Sequence, residues 1–140
     1  MAARLASNLL IENLKQEVNG LLYTSESDAP FEVNALPEWQ EETPPEAEAL
    51  RTLLGLEADV PVKIQKIESF FRPLLKTYDW FGEEENQTVE RYQQLKSFVA
   101  TQLTKPQVYR VGEVEIDIYI VGQSVDGPWV SLKTKATETE

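Results

Sequence analysis

The sequence contains no cysteine and no histidine, and only one methionine in 140 residues. Without thiolate or imidazole there can be no zinc ribbon, iron–sulfur centre, cysteine nucleophile, histidine base or Ser-His-Asp triad. Carboxylates, tyrosine, lysine and hydroxyls are all that remain for chemistry, which turns expectation away from an enzyme. EF-hand, P-loop and dinucleotide glycine patterns are also missing. Basic residues are scarce, with 13 Lys and Arg against 24 Asp and Glu, a net charge of -11 and a pI near 4.5. Such a chain repels nucleic acid and acidic lipid headgroups, because both must be met with cationic side chains. A basic protein is the complementary partner, although acidity also serves solubility alone. No apolar run is long enough to span a bilayer. The N-terminal stretch carries Arg4 but is interrupted by Ser7, Asn8, Glu12 and Asn13, so it lacks the apolar core of a signal peptide. A cytoplasmic location is expected.

What is present has the balance of a globular protein, 41% hydrophobic and 26% charged. A chain of this length buries roughly two-thirds of its unfolded surface and needs no covalent staple. One domain over residues 1–140 is expected, with residues 1–6 and 136–140 as mobile tails and no internal repeat.

Leu10, Ile11, Leu14 and Val18 follow the helical period after a cap at Ser7 or Asn8, and Asn19-Gly20 closes that helix. Leu21, Leu22 and Tyr23 and then Phe31, Glu32 and Val33 read as two strands of a hairpin with an acidic tip. Residues 34–45, rich in proline and acids and containing Trp39, read as an exposed irregular loop. Thr43-Pro44-Pro45-Glu46 resembles a capping box opening a short helix that buries Leu50, Leu53 and Leu54 and stops at Gly55. Val60, Val62 and Ile64 alternate beside Pro61, which suits an edge strand. Ser69 to Leu75 reads as a helical turn, and Val89, Tyr92, Leu95, Val99 and Leu103 give the longest amphipathic helix, stopped by Pro106. Val114, Ile116, Ile118 and Ile120 alternate with Glu113, Glu115, Asp117 and Tyr119 as a strand with one partly wet face. It is flanked by strands around Tyr109 and around Val130, Leu132 and Thr134, with turns at Gly112 and Asp126-Gly127.

Charge is unevenly placed. No basic residue lies between Lys15 and Arg51, where Glu17, Glu26, Asp28, Glu32, Glu38, Glu41, Glu42, Glu46 and Glu48 fall. A second acidic stretch, from Lys76 to Arg91, holds Asp79, Glu83, Glu84, Glu85 and Glu90 around Trp80. An exposed tryptophan beside carboxylates suits a binding hot spot, since the ring supplies contact area and the charges orient the partner. Equally, Trp80 packs inward and the acids form a solvated face. Paired carboxylates also serve glycoside hydrolysis or calcium binding, but Glu113, Glu115 and Asp117 on one strand face read as ordinary sheet surface.

Three blocks resemble the nuclease A inhibitor family. The first runs over residues 20–33 and contains Ser25-Glu26-Ser27. The second is Asp79-Trp80-Phe81 followed by Glu83-Glu84-Glu85-Asn86, and the third is the strand region 106–122. Ser69-Phe70-Phe71 also fits, whereas residues 34–60 match poorly. The resemblance implies an α/β fold, a three-layer α/β/α sandwich with a mixed, largely antiparallel sheet. It implies no catalysis and no cofactor, but inhibition of a sugar-nonspecific, magnesium-dependent DNA/RNA endonuclease of the ββα-metal type, by a monomer forming a 1:1 complex.

Carried over residue by residue, the family's key glutamate falls on Glu26 and its exposed Asp-Trp on Asp79-Trp80. Its terminal threonine falls on Thr139. Here the chain departs from the pattern, because Glu140 follows and displaces the terminal carboxylate by one residue. The expected partner-binding residues are therefore Glu26, Asp79, Trp80, Thr139 and Glu140, with no metal site of the chain's own. A nuclease cleft built for phosphate presents Mg²⁺ and cations, where a carboxylate can take the phosphate's place. The alternatives are an acidic module of the same fold with another basic partner, and a carboxylate-dependent hydrolase.

Overall fold

A computed structural model describes residues 5–139. Its centre is a five-stranded antiparallel sheet in the order β3-β7-β6-β5-β4, formed by β3 (Glu32–Ala35), β4 (Val62–Gln65), β5 (Thr104–Val111), β6 (Glu115–Gln123) and β7 (Trp129–Thr137). A separate two-stranded hairpin pairs β1 (Leu22–Thr24) with β2 (Asp28–Pro30). The helices are α1 (Ser7–Val18), α2 (Ala47–Leu54), α3 (Ile67–Phe71), which runs into a 3₁₀ turn over Arg72–Leu75, and α4 (Glu83–Gln102). The expected mixture of strand directions is corrected: every strand pair among the described residues is antiparallel. Short connections join β5, β6 and β7, and a parallel pair would need a long crossover.

The sheet is covered on both faces. Val108, Ile118, Ile120, Val130 and Leu132 meet α1, α3 and α4 through Leu10, Leu14, Phe71, Leu95 and Val99. On the opposite face Tyr109, Val111, Val121 and Trp129 meet Leu50 of α2, with Leu53, Leu54 and Trp39 packed against them. The partly wet strand face runs through Glu115, Asp117 and Tyr119, with Gln123 half-buried at the far end, while Ile116, Ile118 and Ile120 to Gly122 are buried. Trp39 is not in an open loop. Its Nε1 donates to the Thr43 carbonyl at 2.8 Å, and the Trp129 Nε1 donates to the Glu41 carbonyl at 2.8 Å. These bonds tie the acidic segment onto the sheet.

Two helix starts differ from expectation for local reasons. The capping box at Thr43 does not form, and α2 begins at Ala47. A residue preceding proline avoids the α conformation, so Pro44-Pro45 delays the helix, and the Tyr109 hydroxyl donates instead to the Pro45 carbonyl at 2.6 Å. Helix α1 is capped not by its own Ser7 or Asn8 but by Asp126 from the β6–β7 turn. The Ser7 amide and hydroxyl donate to its carboxylate at 3.1 and 3.2 Å, where a negative charge also complements the helix dipole. A hydrogen bond from Ser124, with those from Ser7, holds the Asp126 carboxyl below its ordinary range. Gly112, at φ +109, closes the β5–β6 connection, and a Cβ there would lie 2.4 Å from the Glu115 carbonyl oxygen.

The strand expected at residues 31–33 exists but pairs elsewhere: β3 joins β7, with Val33 opposite Leu132. The partner of β1 is β2, which makes the hairpin tighter than expected and confines its tip to residues 25–27. The tail expected from Ala136 onward is strand as far as Thr137, with Ala136 wholly buried opposite Ile116. Of the N-terminal tail expected over residues 1–6, Leu5 packs against the core and its amide donates to the Gln102 Oε1 at 2.7 Å; residues 1–4 lie outside the described residues, as does Glu140.

Candidate functional site

The β1–β2 hairpin is fixed to the core by its stem. Tyr23 stacks on Phe70 at 5.7 Å between ring centroids and meets Phe31 edge-on, and the Tyr92 hydroxyl donates to the Leu22 carbonyl at 2.7 Å. Its tip, Ser25-Glu26-Ser27, is closed by the Ser25 amide donating to the Ser27 carbonyl at 2.8 Å. The end of β7 then runs alongside. The Thr137 amide donates to the Ser25 Oγ at 2.9 Å, the Glu26 amide to the Thr137 carbonyl at 3.3 Å, and the Ser27 and Thr137 hydroxyls lie 2.9 Å apart.

These bonds bring Thr139 to Glu26, although 113 positions separate the two in sequence. The Thr139 hydroxyl donates to the Glu26 Oε1 at 2.6 Å, and the Thr139 amide donates to Oε2. The hydroxyl bond, then the amide bond, hold the Glu26 carboxyl below the ordinary glutamate range, because each donor favours the ionised form. Both residues are exposed. The arrangement is an ionised carboxylate fixed at the end of a hairpin, with a hydroxyl beside it.

The second acidic stretch forms an aromatic knuckle before α4. Trp80 is 72% exposed and Tyr78 52%, so inward packing of Trp80 is excluded. The two rings stack at 6.0 Å and 17°, and Phe81 meets them edge-on at 4.7 and 5.2 Å. The Phe81 amide closes the knuckle onto the Tyr78 carbonyl at 2.9 Å. Asp79 is exposed between the rings. Glu85 anchors the start of α4 by accepting from the Gly82 amide at 3.1 Å, and Glu83, Glu84 and Glu85 occupy the first turn, where the helix dipole favours them.

A groove of about 370 Å³ joins the two elements, lined by Leu22 and Thr24 of the hairpin and by Tyr78, Trp80 and Phe81 of the knuckle, with Lys76 at its edge. The structure therefore places Glu26 and Thr139 in direct contact and sets Trp80 across a groove from the stem of the same hairpin, with Asp79 exposed beside it but not lining the groove. Glu115 and Asp117 do not join them, whereas Glu113 lines, with Thr139, a groove on the other side of the tail. Among the described residues no group of Asp and Glu is arranged to hold a metal ion, and no helix is long and apolar enough to cross a membrane.

The model of the nuclease A inhibitor-like protein family, NuiA, matches residues 8–139. The chain belongs to this family. No curated protein matches it. The family match takes in residues 34–60, where the resemblance read from the sequence is poor, and ends at Thr139, one residue before Glu140. For a nuclease-inhibitor family member the sequence points to Glu26, Trp80 and Thr139 but not to what holds them. Ser25, Ser27 and Thr137 read as ordinary turn and strand residues, and their bonds span more than a hundred positions. Tyr78 escapes a reading centred on Trp80, yet it carries a signal, since three aromatics within four positions of a polar loop need a common reason.

Proposed function

We propose that this chain is a single-domain protein inhibitor of a magnesium-dependent, sugar-nonspecific DNA/RNA endonuclease of the ββα-metal type. The observation that carries the reading is the pairing of Glu26 with Thr139 at an exposed hairpin tip. In the complex the ionised carboxylate enters the nuclease cleft where a substrate phosphate would sit, facing a metal that the nuclease itself holds. Hard divalent cations prefer oxygen ligands and keep several waters, so a carboxylate and a hydroxyl side by side meet such a centre without any metal site on the inhibitor. Asp79 and Trp80 cover the rim of the cleft, the ring by desolvated contact and the carboxylate by pairing with a cation. Glu140, next to Thr139 in sequence, adds its side-chain carboxylate to the contact. The net charge of -11 draws the inhibitor toward a cleft built for polyanions.

Both faces of the sheet are covered by helix-bearing segments, which supports a three-layer α/β/α arrangement. We place the protein in the cytoplasm as a monomer that forms a 1:1 complex. Titration of a nonspecific Mg²⁺-dependent endonuclease with the purified protein tests the function. Cleavage of both DNA and RNA is expected to fall linearly to an end point at equimolar inhibitor. Undiminished cleavage at a large molar excess would replace this reading with that of an acidic module for a different basic partner.

A further inference from the structure

Thr139 lies beyond the sheet. Glu138 is the last residue with a backbone bond to it, its amide donating to the Val114 carbonyl at 2.9 Å, and the bonds of Thr139 itself go to Glu26. The direction in which the chain leaves Glu138 therefore decides whether Thr139 meets the hairpin. That direction is constrained from a third element. Arg110, on β5, pairs through Nη2 with the Glu138 carboxylate. The side chain of Tyr23, three positions before Glu26 on β1, also helps to keep the same guanidinium charged.

We propose that Arg110 is a positioning residue for the inhibitory site, holding the tail through Glu138 so that Thr139 is delivered to Glu26. The proposal rests on the reading that Glu26 and Thr139 form the contact with the nuclease. Its basis is the sequence of contacts from Arg110 on β5 to Glu138, and from the next residue, Thr139, to Glu26. A guanidinium suits this place because its planar N–H groups fix the direction of the carboxylate they meet, which a lysine ammonium on a flexible stem does not. Burial strengthens the hold. The Arg110 side chain is 19% exposed and that of Glu138 49%, so the pair is screened less than a fully exposed one. Arg110 and Glu138 also line, with Lys63 and Glu113, an open groove of about 840 Å³ behind the tail.

The test uses the free full-length protein as well as the nuclease. Arg110→Gln removes the fork, and Glu138→Gln breaks the pair from its exposed side without touching the core. In both variants the Glu26 carboxyl, followed by carbon-13 NMR, is expected to titrate at higher pH than in the wild type, because the Thr139 donors leave it. Inhibition is expected to weaken about tenfold, the range of one charge-assisted hydrogen bond, with the melting temperature of Glu138→Gln unchanged. Arg110→Lys, which keeps a cation against Glu138 but not the planar fork, is expected to restore only part of both effects. A merely structural role for Arg110 would not move the Glu26 titration in a folded Glu138→Gln variant. If that variant titrates like the wild type, the proposal is overturned, whatever becomes of Arg110→Gln. Should the Glu26 titration move in both variants while inhibition stays intact, Arg110 does position the tail and it is the tail's part in the contact site that falls.

Discussion

Trp80 gives the sharpest quantitative consequence of the site. A large aromatic side chain presents about 150–250 Å². With 72% of Trp80 open to solvent, roughly 110–180 Å² is free to be buried by a partner. At about 25 cal/mol per Å² that burial contributes about 3–4.5 kcal/mol, from which about 1 kcal/mol is lost in ordering the interface. Trp80→Ala should therefore weaken inhibition by about 2–3.5 kcal/mol, which is ~30- to 300-fold in the inhibition constant. The fold should hardly register the change, since exposed substitutions usually fall within about 0.5 kcal/mol, and the ring's contacts are with Tyr78 and Phe81 in the same knuckle. Initial rates of plasmid cleavage in Mg²⁺, measured against increasing variant, give the inhibition constant, and urea unfolding of the free variant gives the control. An inhibition constant within about threefold of wild type, at unchanged stability, would refute the assignment of Trp80 as an anchor, because truncating a hot-spot residue costs about 2 kcal/mol or more.

Four further outcomes follow. Glu26 has a folded pKa depressed by the Thr139 donors, so its contribution to stability is present above the unfolded value and lost as pH falls through the folded one; Glu26→Gln should flatten that acid limb of the stability profile, and an unchanged limb contradicts the hydrogen-bonded carboxylate. Removing Glu140 alone should leave inhibition intact, whereas removing Thr139 and Glu140 together should cause a clear loss, and a fully active double deletion would strike the tail from the site. Stopped-flow association with the nuclease should slow as ionic strength rises, because steering over such distances is screened; flat rates would remove the electrostatic account. Tyr109→Phe should lower stability by about 1–3 kcal/mol in urea unfolding, since the buried Pro45 carbonyl loses its donor, and a cost near zero would mean that water or a backbone shift replaces the bond.

Elements governed by local periodicity are legible in the amino-acid sequence alone. Val89, Tyr92, Leu95 and Val99 announce α4, and all four are buried. Ile116, Ile118 and Ile120 announce β6, and all three face one core. Sequence and structure part where distant partners decide. Asp126 takes over the capping of Ser7 from 119 positions away. Trp129 and Tyr109 draw the 34–60 segment down through the carbonyls of Glu41 and Pro45, so a stretch with the composition of a solvent-exposed loop covers a sheet face. The hairpin register differs from expectation because residues 28–33 hold two short strands, and only the second continues into the sheet. At the site, family resemblance locates Glu26, Trp80 and Thr139, while composition and charge locate only the acidic stretches around them. Neither points to Ser25, Thr137 or Arg110, whose side chains look unremarkable in their own strands and matter through what they meet.

The central claim is that the Glu26 carboxylate acts at the metal of the nuclease. Calorimetric affinities of wild type and Glu26→Gln, each for the nuclease loaded with Mg²⁺ and stripped of it, test this most directly. The account predicts that stripping the metal weakens the wild type distinctly more than Glu26→Gln, leaving a coupling of about 1 kcal/mol or more between carboxylate and ion. Equal losses for the two proteins, or none for either, would contradict it.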